Sequence, residues 1–348
     1  MLRRRVTDQC GQRGWRPAVK RRFPLRTCMI AAAAVVIIAV AGASKPSAPA
    51  KKQVYAVSAA PAVEKKVFML PANVRQGFAE GETGYTITMS EKRLMAGRML
   101  LVDEAHPLPE AFTPPGSYGI LHRTNGRVAC RDAQATLAAD ALDALDEMFR
   151  HARYARHNNM VVFAASRSEE QQRNDLMDRM SALSRSMSFE AALAQAKQEI
   201  ETPGCSEHQL PWCVDIRLCT RWNALPDHTA LQDSEAGRWL LAHCWEYGFI
   251  HRYPEAGVDS HRAWHFRYVG RGHAAMMQAL SVSMEEYLSL LRTYGVLTLM
   301  NDAGEPAVTV LCQPMGEGEQ RFTLPLHATV EDASADNDGW AVVSCVYQ

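Results

Sequence analysis

The chain has 348 residues, of which 47% are hydrophobic and 22% are charged, and its formal net charge is zero. These proportions are ordinary for a globular protein, and the length allows one sizeable domain plus an accessory piece. Residues 1–27 contain nine Lys or Arg and one Asp, so the rest of the chain carries the compensating negative charge. Nucleic acid is therefore excluded as an expected partner, because its binding requires a basic face.

The next segment, residues 28–44, is an uncharged apolar run without proline that follows the basic leader of residues 1–27. It is shorter than the roughly 20 apolar residues that usually cross a bilayer, and its basic flank is typical of a cytoplasmic end. Two interpretations stay open: a single-pass membrane anchor, or a signal peptide cleaved after Ala-Gly-Ala at 41–43. Both predict export of residues 45–348, so we expect an extracytoplasmic protein that is anchored in the cytoplasmic membrane or secreted.

The segment after the apolar run, residues 45–91, is predicted to be a linker. Its first part, residues 45–66, is rich in Ala, Pro, Ser and Lys and has no periodic apolar face. Such a composition is typical of flexible spacers, which cannot bury enough apolar surface to fold. The linker would hold a folded domain away from a membrane.

The stretch between residues 131 and 219 contains several signals of regular structure. Residues 131–153 place apolar side chains at helical spacing, which predicts an amphipathic helix. The short apolar runs MVVFAAS at 160–166 and VDIRLC at 214–219 predict strands. A second helical region is predicted between these runs, through about residue 200.

In the remaining part of the chain, helix signals give way to strand and turn signals near residue 296. Asp233 and Ser234 can cap a helix, and SMEE at 283–286 is a capping-box pattern that opens another helix. From residue 296 to 348, short β-like runs alternate with Gly and Asn-Asp-Gly turns, which predicts a β-rich module. The pattern as a whole predicts an α+β domain with a small β-rich C-terminal appendage.

Three side chains in the second half of the chain are candidate metal ligands. The stretch CSEHQLPWCVDI at 205–216 holds His208 and Asp215 seven residues apart, with Pro211 between them. Because proline breaks a helix, we expect the two side chains on a loop that enters a strand, where they can converge on one ion. His265, in HRAWHFRYVG at 261–270, would be the third ligand. Histidine nitrogen and aspartate oxygen are ordinary zinc ligands, and catalytic zinc keeps three protein ligands and one open position.

These motifs resemble those of the VanY-like D-alanyl-D-alanine carboxypeptidases, a family of LAS-type zinc metallopeptidases with the pattern S-x-H-x6-D followed by E-x-W-H. SRSEEQQ at 166–172 resembles the family's G-Y-R-S-x-x-x-Q stretch, and YGFIHRYP at 247–254 resembles the segment that leads into its last motif. The resemblance implies an α+β fold, a LAS/hedgehog-like zinc peptidase domain over residues 92–295. Residues 296–348 would form the β-rich C-terminal module.

The resemblance also implies roles for individual residues. His208, Asp215 and His265 would bind one Zn²⁺ ion. Arg167 would be catalytic and substrate-binding, because its guanidinium fork suits a carboxylate or a developing oxyanion. Ser206 and Gln171 would also lie in the substrate-binding part of the site. The implied substrate is a peptidoglycan stem peptide that ends in D-Ala-D-Ala.

One position departs from the family pattern at the chemical centre. The family's general base is the Glu three residues before the last His, and this chain has Arg262 there. Arginine stays protonated at any usable pH and cannot accept a proton. A substitute base is therefore sought among Glu255, Asp259 and His261, of which His261 has the best-suited side chain. Three hypotheses follow. The first is a zinc D,D-carboxypeptidase with a substitute base. The second is a weak or inactive pseudoenzyme that binds cell-wall peptide or a cell-wall partner. The third is a non-metal, export-anchored scaffold in which the ligand pattern is a coincidence.

Overall fold

The computed structural model describes residues 68–347, except residues 80, 83, 111, 220–229 and 257–259. The strands are β1 Val74–Gln76, β2 Gly84–Met89, β3 Ser117–Gly119, β4 Thr136–Ala138, β5 Met160–Ala164, β6 Cys213–Leu218, β7 Phe249–His251, β8 His265–Tyr268, β9 Val296–Met300, β10 Pro306–Pro314, β11 Gln320–Pro325, β12 Ala328–Ala335 and β13 Trp340–Tyr347. The α-helices are α1 Glu91–Leu94, α2 Ile120–Arg123, α3 Ala139–Tyr154, α4 Glu169–Leu183, α5 Phe189–Glu199, α6 Glu235–His243, α7 Arg271–Leu280 and α8 Met284–Tyr294. Short 3-10 helices cover Glu207–Gln209, Leu231–Asp233, Cys244–Tyr247 and His261–Trp264.

A four-stranded antiparallel sheet in the order β5-β6-β8-β7 forms the centre of the first core. Strand β6 is buried along nearly its whole length, as expected for a strand covered on both faces. The register pairs Asp215 with His265 across β6 and β8. Because directly opposed residues have Cβ atoms about 4.5–5.5 Å apart, this register places two of the predicted ligands side by side.

The predicted helices are present, with ends that shift by up to eight residues. The first amphipathic helix is α3, which begins at Ala139 rather than near residue 131 and buries one face against the central sheet's core. Helix α4 begins after Ser168, whose side chain caps it. The predicted caps Ser234 and Ser283 both accept hydrogen bonds from the first turns of α6 and α8. Each cap satisfies an amide that the helix itself leaves unbonded.

A second sheet has the order β1-β9-β10-β13-β12, and a separate pair joins β11 to β2. Helices α7 and α8 contribute to the apolar core on this sheet. The C-terminal residues are strand-rich, as their turns predict. Two of the strands, β1 and β2, come from the segment 45–91, which the sequence pattern assigned to a linker. The boundaries proposed at residues 92 and 296 stay predictions.

Across the described part of the chain, none of the helices is long and apolar enough to cross a membrane. The leader, residues 1–27, and the apolar run, residues 28–44, lie outside the described residues. The anchor and the signal peptide therefore stay alternative predictions.

Candidate metal centre

The three predicted ligands meet in one buried cluster. Oδ1 of Asp215 lies 3.3 Å from Nε2 of His208 and 2.9 Å from Nδ1 of His265. The two imidazole rings stand nearly perpendicular, at 80°, with their centres 4.7 Å apart. Asp215 comes from β6, His265 from the start of β8, and His208 from the 3-10 helix Glu207–Gln209. A hydrogen bond of 2.7 Å from the Arg167 amide to the His208 carbonyl connects this helix to the segment that follows β5.

In each histidine, the ring nitrogen that points away from Asp215, here called the outer nitrogen, is hydrogen-bonded to an acceptor. The inner nitrogen, which faces Asp215, then keeps its lone pair. Nδ1 of His208 lies 2.9 Å from the carbonyl of Ala165, which can only accept, so Nδ1 carries the proton. Nε2 of His265 lies 3.2 Å from Oε2 of Glu207 and donates to it in the same way. Nε2 of His208 and Nδ1 of His265 then face Asp215 as acceptors. A metal ion between these two nitrogens and the carboxylate would satisfy all three groups, and carboxylate or carbonyl partners of this kind orient metal-binding histidines.

The protonation equilibria agree with that geometry. Burial alone raises the pKa of Asp215, but His208 and His265 hold it far below its ordinary value. Burial lowers the pKa of His208, and Asp215 only partly opposes this. Burial also lowers the pKa of His265, but hydrogen bonds to Asp215, Cys213 and Glu207 raise it well above its ordinary value. Without a metal the cluster therefore holds a proton at His265, and a divalent ion must displace it.

Glu207 anchors the cluster from the side that faces away from Asp215. Its Oε1 accepts from Arg252 Nε at 2.9 Å and from Arg267 at 2.7 Å, and all three side chains are buried. Burial raises the pKa of Glu207, but Arg267 and then Arg252 lower it well below its ordinary value. This carboxylate therefore forms ion pairs with two guanidinium groups and a hydrogen bond with His265. The sequence analysis did not predict that Glu207 supports His265. The available signal was the position of this acid, directly between Ser206 and His208.

A second possible metal-binding group shares His265. Glu207, Cys213 and His265 also place ligand atoms within 4.8 Å of one another, as do His208, Asp215 and His265. The two guanidinium groups on Glu207 disfavour another cation there. Burial also raises the pKa of the Cys213 thiol, which keeps it protonated. The cluster of His208, Asp215 and His265 is therefore the better metal site.

The predicted substrate-binding residues divide into two groups. Arg167 is brought to the cluster: it lines a recess of about 260 Å³ together with His208 and Asp215. Ser206 lines a smaller recess with His208 and His265, and its hydroxyl accepts from the His208 amide at 3.4 Å. Gln171 instead completes the capping box of α4 by accepting from the Ser168 amide.

The glutamine that contacts Arg167 is the next residue, Gln172. It is fully buried, accepts from the Arg167 guanidinium at 3.1 Å, and donates to the Glu201 carbonyl at 2.8 Å. Substrate binding by Gln171 stays a prediction, and Gln172 is the neighbouring glutamine that contacts Arg167. The spacing R-S-x-x-x-Q, counted from Arg167, already ends at Gln172, so the signal was present in the sequence.

Arg262 lies at the edge of the smaller recess. Its side chain is 43% exposed, contacts Glu201 at 3.4 Å, and stacks over the ring of Tyr253 with 5.0 Å to the ring centre. His261 begins the 3-10 helix His261–Trp264, but its side chain lies outside the described part of the structure, as does Asp259. Glu255 is described and exposed. The substitute bases expected from the sequence therefore stay untested, and Glu201 is the carboxylate found beside Arg262.

Comparisons with known proteins agree with this site. Residues 134–271 match the family model VanY, D-alanyl-D-alanine carboxypeptidase. The bifunctional D-Ala-D-Ala dipeptidase and D-Ala-D-Ala carboxypeptidase VanXYC of Enterococcus gallinarum is 38% identical over 102 residues, 28% of this chain and 54% of that protein. The D-alanyl-D-alanine carboxypeptidase of Enterococcus faecalis (strain ATCC 700802 / V583) is 34% identical over 135 residues, 37% of this chain and 47% of that protein. The chain thus spans about half the length of these relatives.

A solved structure shares the fold. The vancomycin-resistance D,D-dipeptidase VanXYg, crystallised with a D-Ala-D-Ala phosphinate analogue, superimposes with a TM-score of 0.57 at 20% identity. The match covers 76% of this chain and 99% of that one. The predicted α+β peptidase fold is confirmed. Residues 134–271, which contain all three convergent ligands, are therefore similar to the VanY D-alanyl-D-alanine carboxypeptidase family.

Proposed function

We propose that this chain is a zinc-dependent D-alanyl-D-alanine carboxypeptidase that removes the terminal D-alanine from peptidoglycan stem peptides ending in D-Ala-D-Ala. The observation that carries the proposal is the convergence of Nε2 of His208, Oδ1 of Asp215 and Nδ1 of His265. The outer nitrogen of each histidine is held by an acceptor. The named activities of the matched relatives support the substrate class.

The donor set fits one zinc ion. Two imidazole nitrogens and one carboxylate oxygen are common zinc ligands, and three protein ligands leave a fourth position for chemistry. When bound there, zinc supplies Lewis-acid polarisation of a scissile carbonyl. A single ion is favoured because the second possible group reuses His265 and faces two guanidinium groups.

Arg167 is the best placed residue for holding the substrate. Its side chain is 25% exposed in the recess that also contains His208 and Asp215, and its Nε lies 3.7 Å from Asp175. Gln172 fixes the guanidinium from the buried side. A fixed fork of donors suits a peptide carboxylate or a developing oxyanion. Arg167 would therefore orient the peptide with its scissile amide beside the cluster.

The reaction would take place outside the cytoplasmic membrane. Support comes from the basic leader and the apolar run at 28–44, which as anchor or signal peptide would export the remainder of the chain. Peptidoglycan stem peptides are exposed on that side.

A second candidate function is favoured by one observation, Arg262 at the position of the family base. A permanent cation beside the cluster cannot accept a proton, and loss of a general base usually costs a factor of about 10²–10⁴ in rate. The alternative is a pseudoenzyme that binds cell-wall peptide, or a cell-wall partner, without cutting it.

The two functions differ in turnover. The full-length chain, loaded with zinc, is incubated with a synthetic stem pentapeptide, and released D-alanine is quantified. His208→Ala, which removes one donor of the cluster, provides the background. We expect release at least 100-fold above that background for the wild-type chain, because the residual rate without the metal should be very low.

Release no faster than from the His208→Ala variant would reject the carboxypeptidase. In that case, peptide binding to the zinc-loaded wild type in calorimetry would support the pseudoenzyme. A gain of activity on Arg262→Glu in an inactive wild type would identify the arginine as the cause.

A further inference from the structure

Glu201 lies in the segment that connects α5 to the 3-10 helix of His208, where the two recesses around the metal cluster adjoin. We infer that Glu201 is the residue that moves protons in the proposed reaction, in place of the carboxylate missing at position 262. The inference rests on the proposed carboxypeptidase function and adds a catalytic residue to it.

Two recesses carry the geometric argument. The smaller has a volume of about 10 Å³ and is lined by Glu201, Ser206, His208, Arg262 and His265, among others. The larger, of about 260 Å³, is lined by Glu201 together with Arg167, His208 and Asp215. Glu201 and His208 line both. Since about 10–15 Å³ is the space for one water molecule, the carboxylate borders a water-sized space beside two ligands and a peptide-sized space beside Arg167.

Glu201 is held in this place by contacts on its main chain and its side chain. Its carbonyl accepts from Gln172, the same side chain that fixes Arg167. Its carboxylate contacts the guanidinium of Arg262 at 3.4 Å and is only 18% exposed. The cation at the family's base position thus sits beside a carboxylate that comes from another part of the chain. The pairing places a carboxylate at the edge of the recess.

Among the described acids, Asp175, Asp178 and Glu199 line only the larger recess, and Asp215 and Glu207 have other roles at the cluster. Asp215 faces both histidines as a ligand. Glu207 is shared between Arg252, Arg267 and the outer nitrogen of His265, on the side away from Asp215. Glu201 is the acid that lines both recesses without being in the ligand set.

Glu201 alone can accept and return the proton that the hydrolysis requires. A water O–H bond breaks, its proton passes to the Glu201 carboxylate, and the water oxygen bonds to the carbonyl carbon of the scissile amide. The C–N bond then breaks, and the same proton passes from Glu201 to the nitrogen of the departing D-alanine. The second proton of the water leaves the new carboxylic acid for the amino group of D-alanine. The products are a shortened peptide with a new carboxylate and free D-alanine, and no other reactant is needed.

Glu201→Gln in the full-length, zinc-loaded chain tests the inference. We expect kcat for D-alanine release to fall by about 10²–10⁴-fold, with zinc affinity, measured by chelator competition, within threefold of wild type. Glu190→Gln, an exposed acid at the start of α5, is the matched control and should keep wild-type kcat. In Glu201→Gln/Arg262→Glu, which returns a carboxylate to position 262, we expect at least tenfold recovery over Glu201→Gln.

Each result separates this inference from the proposed function. An inactive wild type rejects the function itself. An active wild type with unchanged kcat in Glu201→Gln rejects only the role of Glu201. A joint loss of zinc and activity in Glu201→Gln makes Glu201 a ligand or a structural support and also overturns the inference. Absence of any recovery in the double variant counts against a proton-transfer role, because a purely structural loss would not be repaired from position 262.

Discussion

Two buried clusters of histidine and carboxylate in the described part of the chain differ in what they can bind. The first, the metal cluster, consists of His208, Asp215, His265 and Glu207. The second, here called the inner cluster, consists of His273, Tyr287, Asp332 and Arg98. In the inner cluster, Nδ1 of His273 lies 2.9 Å from the Tyr287 hydroxyl, and Nε2 lies 3.8 Å from Oδ2 of Asp332. Those last two atoms have no hydrogen-bond partner among the described residues.

The difference shows that burial and a nearby carboxylate do not make a metal site. The metal cluster has two histidines whose outer nitrogens are held, so two lone pairs and an anion converge. The inner cluster has one histidine, and Arg98 already neutralises its carboxylate at 3.1 Å. Within the part of the chain that the structure describes, only groups containing His265 bring three ligand atoms together.

The largest effect is expected from removing a ligand charge in the metal cluster. Asp215→Asn keeps the shape of the side chain but removes the anion between the two histidines. We expect zinc affinity to fall by more than about 100-fold, which exceeds the usual effect of changing a group that only orients a ligand. Asp332→Asn is the matched variant in the inner cluster and should keep one zinc per chain in elemental analysis. Equal zinc content in both variants would remove the distinction between the clusters.

The next effect concerns Glu207, which supports His265 without facing the metal position. Glu207→Gln leaves the buried Arg267 without the one ion-pair partner that it has among the described residues, so we expect a loss of about 3–5 kcal/mol in the free energy of unfolding. Zinc affinity should also fall by about 10–100-fold. Glu285→Gln is the control, because Glu285 pairs with the same Arg252 but is 52% exposed. It should cost at most about 1 kcal/mol. Urea denaturation and chelator competition measure both quantities, and equal losses in the two variants would refute the anchoring role.

The smallest effect is a pH dependence of stability from the inner cluster. Burial raises the pKa of Asp332 to about 6 from 3.8, against the opposing effect of Arg98. Burial, assisted by Arg98, lowers the pKa of His273 to about 3 from 6.5. The folded state therefore binds the Asp332 proton more tightly than the unfolded state, and this contribution to stability is lost as pH rises from 4 to 6. The folded state binds the His273 proton less tightly than the unfolded state does. The contribution of neutral His273 to stability is therefore lost as the pH falls below 6.5.

Two variants separate these opposing contributions. As the pH falls from 6 to 4, the free energy of unfolding of the wild type should increase relative to that of Asp332→Asn. Over the same change it should decrease relative to that of His273→Gln. Each slope should approach about 1.4 kcal/mol per pH unit. Urea denaturation at several pH values measures both, and two parallel curves would show that neither group titrates as described.

The parts that could be predicted from the sequence are those with a local signal. Strands β5 and β6 were readable from short apolar runs, and the caps Ser234 and Ser283 from one residue type at one spacing. The three ligands were readable because their motifs are specific. That they meet is a consequence of the register between β6 and β8, which a strand pattern alone does not set.

The missed residues depend on contacts between distant parts of the chain. Glu207 and Arg267 are 60 residues apart, and Arg262 and Glu201 are 61 apart. Neither pair has a periodic signature, so only the folded chain reveals the anchor and the carboxylate beside Arg262. The pairing of β1 with β9 is of the same kind, because three residues in a polar segment carry little strand signal. Gln172 was different, since correct counting within its motif identifies it.

The buried guanidinium of Arg267 has a consequence for the order of assembly. It donates to the carbonyl of Leu100, 167 residues away, at 2.7 Å and is the partner of the carboxylate that holds His265. A growing polypeptide cannot complete this connection before β8 has been synthesised and has returned to the segment around residue 100. Because such distant closures are slow compared with helix formation, binding of the proposed zinc ion should be among the last events of maturation.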